Sequence, residues 1–77
     1  MGKDFSQDYL KKFGENLKKI REAKGYSLRS LSAECKIDHS DIAKMEKGEI
    51  NITILTIYEL STALHVPPKK LLDFDIE

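Results

Sequence analysis

The chain has 77 residues, of which 40% are apolar and 34% charged, and its 13 basic residues balance its 13 acidic residues. This length leaves room for one domain, and the composition excludes a disordered or membrane-spanning class. The zero net charge gives no bulk electrostatic argument for a nucleic-acid partner, although positive charge is concentrated between Lys11 and Lys24.

Cysteine usage and the N-terminal sequence both indicate an intracellular protein. A single cysteine, Cys35, forms no internal disulfide and is too little for a zinc site, which favours a reducing compartment. We expect Cys35 to be a small core residue. The N-terminal MGKDFSQDYLKK lacks the apolar run of a signal peptide. The expectation is therefore a cytoplasmic protein without a membrane partner.

The first predicted helix runs from Ser6 to Lys24, where Gly25 ends it in the left-handed backbone common after helices. Gly14, inside this helix, is expected to be a mild weakness of about 1 kcal/mol relative to alanine. The apolar residues that recur at helical spacing and should face the core are Leu10, Phe13, Leu17 and Ile20.

Two short helices follow, separated by only two or three residues. Ser27 is a suitable N-cap for a second helix over Leu28–Cys35, with Leu28 or Leu31 facing inward beside Cys35. Asp38 caps a third helix that extends to about Lys47. Ile42 and Met45 should anchor this third helix to the core.

The rest of the chain completes an all-α domain. After an extended loop, Thr53 caps a fourth helix through Leu64, and Pro67-Pro68 opens a short fifth helix. Residues expected to face the core here are Ile54, Ile57, Leu60 or Ser61, Leu64, Leu71 and Leu72. The prediction is a single compact five-helix domain over residues 1–77, with a core of about 9–72 and terminal extensions at 1–8 and 73–77.

The closely spaced second and third helices are typical of a helix-turn-helix unit, whose second helix protrudes and has a suitable width for the major groove of DNA. With Ile42 and Met45 inward, the opposite face of the third helix would read bases. Its candidate base-reading residues are His39, Ser40, Ala43 and Lys44. The alternative from spacing alone is a polar face that is merely solvated.

Three stretches in order, IREAKGYSLRSLS, IxxxxIxxxEKG and LTIYELSTALHVPPKKLL, resemble the lambdoid-phage Cro and repressor class, also called the xenobiotic-response-element type. The resemblance covers Leu17 to Leu72. It implies a lambda-repressor-like fold and a sequence-specific, duplex-DNA-binding transcriptional regulator, in particular a repressor. It also implies a structural ion pair between Arg21 and Glu46.

The same resemblance implies contacts with DNA phosphates and a two-fold homodimer. The phosphate candidates are Lys18, Lys19, Arg21, Ser27, Arg29 and Lys47. The candidate dimer contacts are Ile50, Ile52, Leu72 and Phe74, unless the isoleucines simply close the monomer core. The chain departs from the family at Leu28 (usually Gln), Lys36 (commonly Gly) and the acidic or apolar loop 49–52, which removes phosphate anchors.

Two other function classes can be weighed against a DNA-binding regulator. One is an autoregulating antitoxin or other protein-binding module, with Phe74 and Ile76 docking a toxin partner. The other is an enzyme, but His39 and His65 lie far from any nucleophile pattern and lack zinc-site spacing. We therefore expect no catalytic residues, no metal and no cofactor.

Overall fold

A computed structural model describes residues 6–75, which form five α-helices and no strand. The predicted all-α five-helix class is confirmed. Ile76 and the outer parts of both predicted terminal extensions lie outside the described residues. No helix in residues 6–75 combines the length and apolar character needed to cross a membrane. The helices are α1 (Ser6–Ala23), α2 (Leu28–Cys35), α3 (His39–Glu46), α4 (Ile54–Leu64) and α5 (Pro68–Leu71).

Side-chain caps start three of these helices where the sequence predicts. Ser27 Oγ accepts a hydrogen bond from Ser30 N at 3.0 Å, and Thr53 Oγ1 accepts one from Thr56 N at 3.1 Å. Asp38 Oδ2 accepts from Ser40 N at 3.2 Å. Each cap satisfies an N–H group that has no partner inside its own helix.

The turn between α2 and α3 keeps its left-handed residue even though that residue is not glycine. Lys36 ends α2 with φ of 63°, and its N–H donates to the carbonyl of Ser32 at 3.2 Å. The Ser32 hydroxyl also donates to the carbonyl of Ile37. Lys36 therefore forms the turn that glycine commonly forms in the family. Its own backbone is strained, because L-residues disfavour the left-handed conformation.

The core collects side chains from all five helices. Ile42 and Met45 are buried, as predicted, and Cys35 is buried among them. Burial raises the pKa of the Cys35 thiol. The buried apolar residues are Phe13, Leu17, Ile20, Leu31, Cys35, Ile42, Met45, Leu60, Ala63, Leu64 and Leu71.

Two predicted core positions are wrong. Ile54 is 85% exposed although it lies on the same side of the helix as the buried Ser61, because it is the first residue of α4 and the buried residues of that helix begin only at Leu60. Leu72 follows the last turn of α5 and is 42% exposed, whereas its neighbour Leu71 is completely buried. The core-facing residues of α4 are Leu60, Ser61, Ala63 and Leu64.

Contacts from α1 hold the segment from Lys70 to Phe74. Asn16 Nδ2 donates to the carbonyls of Lys70 and Leu71, both at 3.0 Å, and so satisfies the end of α5. Further along, the ring of Phe74 lies 5.2 Å from that of Tyr9 and 6.5 Å from that of Phe13. Phe74 is therefore engaged within its own chain.

Candidate nucleic-acid interface

The end of α3 is held against α1 by two glycines. A Cβ atom on Gly14 would lie 2.4 Å from the carbonyl oxygens of both Met45 and Glu46. A Cβ atom on Gly48 would lie 2.8 Å from Cα of Lys11. The expectation that Gly14 is a mild weakness is therefore wrong, since no other residue allows this backbone approach.

A buried ion pair joins the same two helices. Arg21 Nε donates to Glu46 Oε2 at 2.6 Å and Nη2 donates to Oε1 at 3.1 Å, so the pair is bidentate. Arg21 Nη1 donates to the carbonyl of Tyr26 at 2.8 Å, which ties in the segment before α2. The hydrogen bond to Glu46 raises the pKa of Arg21.

This geometry argues against the predicted phosphate role of Arg21. Its side chain is only 9% exposed, and its Nε, Nη1 and Nη2 nitrogens all donate to protein oxygens. The Arg21–Glu46 pair instead orients α3, because it connects the last turn of α3 to the last turn of α1.

The polar face of α3 points away from these contacts. Ser40, Lys44 and Lys47 are exposed, and His39 and Ala43 are half-buried beside them. Ser40 and Lys44 lie four residues apart, one above the other on the outward side. All four candidate base-reading residues thus lie on or at the edge of one accessible surface.

The first turn of α3 contains an interaction that sequence reasoning missed. The Ser40 hydroxyl hydrogen-bonds to Asp38 Oδ2, which also accepts from the Ser40 N–H. These two hydrogen bonds from Ser40 lower the pKa of Asp38. The sequence pattern that could have predicted this interaction is an N-cap residue, Asp38, followed two positions later by a serine.

The remaining phosphate candidates divide into two groups. Arg29 is exposed in the first turn of α2, and Ser27 forms a capping box with Ser30 there. Lys18 lies one turn after Gly14, on the side of α1 that meets α3. Lys19 instead lines a shallow groove with Phe74 and Asp75, on the side of α1 that meets α5. Lys19 is therefore separated from the α3 surface.

The candidate dimer residues are less available than expected. Ile50, Ile52 and Phe74 are half-buried against the core, and among the four only Leu72 is exposed. The large exposed apolar residues lie mainly on α4, where Ile54 is joined by Leu55 at 63% and Tyr58 at 58%. The sequence feature that indicates this surface is that α4 has apolar residues on two faces, whereas only one face can pack against the core.

Known proteins match most of this chain. The family described as Helix-turn-helix matches residues 17–71. Control protein C.BamHI of Bacillus amyloliquefaciens is 38% identical over 63 residues, which cover 80% of this chain and 78% of that protein. An HTH-type transcriptional regulator of Sinorhizobium fredii, y4dJ, is 32% identical over 59 residues, with 77% of each chain covered.

Two crystal structures share the fold. The restriction-modification controller protein C.AhdI from Aeromonas hydrophila superimposes with a TM-score of 0.79 and 37% identity, over 80% of this chain and 94% of that one. The DNA-binding domain of BldD gives a TM-score of 0.77 and 25% identity, over 84% and 94% of the two chains.

The chain therefore belongs to the helix-turn-helix family. It is a DNA-binding transcriptional regulator of the Cro and repressor type, and the relatives to which it is similar include restriction-modification controller proteins.

Proposed function

We propose that the chain binds a two-fold symmetric duplex site as a homodimer, places α3 of each copy in the major groove, and represses the promoter that contains the site. The observation that carries this proposal is the outward α3 surface, which is accessible while the opposite face is fixed by Ile42, Met45 and the Arg21–Glu46 pair. A rigid, protruding helix is what groove recognition needs.

The chemistry of the α3 surface suits base edges. The Lys44 ammonium can donate to guanine O6 and N7, and the methyl group of Ala43 can contact the methyl group of thymine. His39 is the first residue of α3, and its side chain is 38% exposed. It can contact a base or a neighbouring DNA phosphate. These contacts would supply sequence preference rather than bulk affinity.

Bulk affinity would come from phosphate contacts around α3. Arg29 and the free N–H groups at the start of α2 lie on one side, and Lys47 lies at the end of α3. Lys18 extends the positive charge along α1. Each phosphate neutralised by one of these side chains adds about one unit to the salt dependence of binding.

The homodimer is assigned to α4 instead of the loop around Ile50 and Ile52. Ile54, Leu55 and Tyr58 form an exposed apolar ridge, which we call the α4 ridge. Ile57, one turn after Ile54, lines an adjacent small groove of about 100 Å³. The other residues lining this groove are Tyr9, Leu10, Phe13, Asn51, Ile52 and Leu72.

We propose that a second copy of this chain packs against the α4 ridge and its adjacent groove. In a two-fold dimer the same patch contacts itself, so the ridge of one copy can enter the groove of the other. A chain of this length buries only about 60% of its unfolded surface, and pairing adds to a marginal core. The predicted contact at Leu72 is retained, because Leu72 lines this groove and is exposed.

Selection from a random duplex library tests the DNA assignment. We expect the wild-type chain to enrich a dyad-symmetric site with half-sites about 34 Å apart. Lys44→Ala should weaken binding to that site by about 1–3 kcal/mol and relax the preference at one position in each half-site. Lys12→Ala is the matched control, since Lys12 lines the groove near Phe74. Failure of the wild-type chain to enrich any duplex would contradict the proposal.

Sedimentation equilibrium tests the dimer assignment. Leu55→Glu places a charge on the α4 ridge and should give a monomer, whereas the wild-type chain should be dimeric. Ala33→Glu is the control, because it introduces the same side chain at an exposed position on α2. The measurement is made at about 100 μM, where a dimer with a micromolar dissociation constant is almost fully formed. A monomeric wild-type chain at this concentration, or a dimeric Leu55→Glu variant, would exclude α4 as the interface.

A further inference from the structure

At the start of α3, the Asp38 carboxylate and the Ser40 hydroxyl offer only hydrogen-bond acceptors to a ligand. An ionised carboxylate has no proton to donate, so the Ser40 hydroxyl must donate its single proton to Asp38 Oδ2. The Ser40 oxygen is left with lone pairs only. Toward a ligand, the Ser40 hydroxyl can therefore only accept a hydrogen bond.

Asp38 itself remains open to a partner. Its side chain is 61% exposed, and its second oxygen, Oδ1, lies 4.0 Å from His39 Nδ1. Capping occupies only Oδ2. The charged groups that influence Asp38 are His39 and, at longer range, Arg29 of α2. Oδ1 and the Ser40 oxygen thus form a paired acceptor at the leading end of the proposed groove surface.

This pairing differs from the chemistry at the other end of the surface. Lys44, four residues after Ser40, provides only donors. A carboxylate repels the phosphate backbone, so the start of α3 is poorly suited to a phosphate contact. An uncharged serine or threonine at this position would cap the helix as well. The negative charge of Asp38 stabilises the N-terminal end of α3, and toward DNA its free oxygen suits the amino group of a base rather than a phosphate.

The acceptor pair distinguishes among the four bases in the major groove. Guanine presents only the acceptors N7 and O6, and thymine presents O4. Adenine presents its amino group next to the acceptor N7, whereas cytosine presents N4–H₂ without an acceptor beside it on the same base. We infer that Asp38, positioned by Ser40, is a specificity-determining residue that selects a cytosine in each half-site. This inference rests on the proposed function.

Library selection with two single variants tests the inference. Asp38→Asn keeps a good N-cap but adds donors, so the preference for cytosine at one position should fall about tenfold. Asp41→Asn is the matched control, because it removes the same charge from an exposed position on the flank of α3. It should leave the preference at every position unchanged.

A third variant covers the case in which Asp38→Asn folds poorly, as judged by thermal unfolding. Asp38→Ser also caps a helix, and its hydroxyl both donates and accepts, so it should tolerate any base at that position. Retention of the wild-type preference by the folded Asp38 variants would overturn the inference. So would equal weakening at all sequences, or the lack of an enriched cytosine in the wild-type site. Lack of any enriched wild-type site would instead remove the proposed function.

Discussion

The contact between α1 and α3 and the outer face of α4 use their residues in opposite ways. At the first, Gly14, Gly48 and the Arg21–Glu46 pair bring two helices together with no room to spare. At the second, Ile54, Leu55 and Tyr58 are exposed although they are large and apolar. The first region is satisfied within one chain, whereas the second leaves apolar side chains exposed, which is why we propose it as the dimer contact.

The largest effect on the contact between α1 and α3 is expected from removing one member of its ion pair. Glu46→Ala leaves the Arg21 charge buried without a partner and should lower the free energy of unfolding by about 3–5 kcal/mol. Urea denaturation measures the change. Glu22→Ala is the control, because Glu22 is only 3.9 Å from Arg21 and 59% exposed. Equal losses in the two variants would show that the Arg21–Glu46 pair has no special structural role.

Two leucines of α4 compare its core-facing side with its exposed outer face. Leu60→Ala removes a fully buried side chain and should destabilise the monomer by about 2–5 kcal/mol. Leu55→Ala should stay within about 0.5 kcal/mol, because Leu55 is mostly exposed. Both are measured by urea denaturation at concentrations where the chain is monomeric. A large loss for Leu55→Ala would place that side chain in the monomer core.

The close approach at Gly14 is tested by adding one methyl group. Gly14→Ala forces a Cβ atom into two backbone carbonyls and should destabilise the fold by about 3 kcal/mol. Gly25→Ala is the matched control. It meets no neighbour within 4 Å and has only the strain of its positive φ, about 1–2 kcal/mol. Similar values for the two variants would mean that α1 can move away from α3.

The smallest effect is a gain in stability at the turn between α2 and α3. Lys36→Gly removes the strain of a φ of 63° and should stabilise the fold by about 1 kcal/mol, or raise Tm by about 4–8 °C. Thermal unfolding followed by circular dichroism measures this change. An unchanged or lower Tm would show that the Lys36 side chain contributes contacts that offset its strain.

Local chemistry made the helices predictable. Ser27, Asp38 and Thr53 determine where helices start, through hydrogen bonds to backbone N–H groups two or three residues away. Such caps can be predicted from a short stretch of sequence. The same holds for Gly25, which follows the end of α1 with φ of 82°.

Features that depend on three-dimensional neighbours were not predictable in this way. Helical spacing predicts the inward side of α4 but cannot show that the helix begins outside the core, which is why Ile54 is exposed. It also cannot reveal that Gly14 touches a carbonyl of α3, or that Arg21 is enclosed. The polar face of α3 was predictable, because burying Ile42 and Met45 leaves only one face outward.

The most direct test of DNA reading by α3 is to map amide chemical shifts while the duplex obtained by selection is added to the chain. A control titration uses a scrambled duplex of equal length and charge. Binding through α3 should give large changes at the start of α2 and through Asp38–Lys47, with smaller changes at Lys18. Changes confined to the α4 ridge, or none that distinguish the selected duplex from the scrambled one, would contradict the assignment of α3 as the DNA-reading helix.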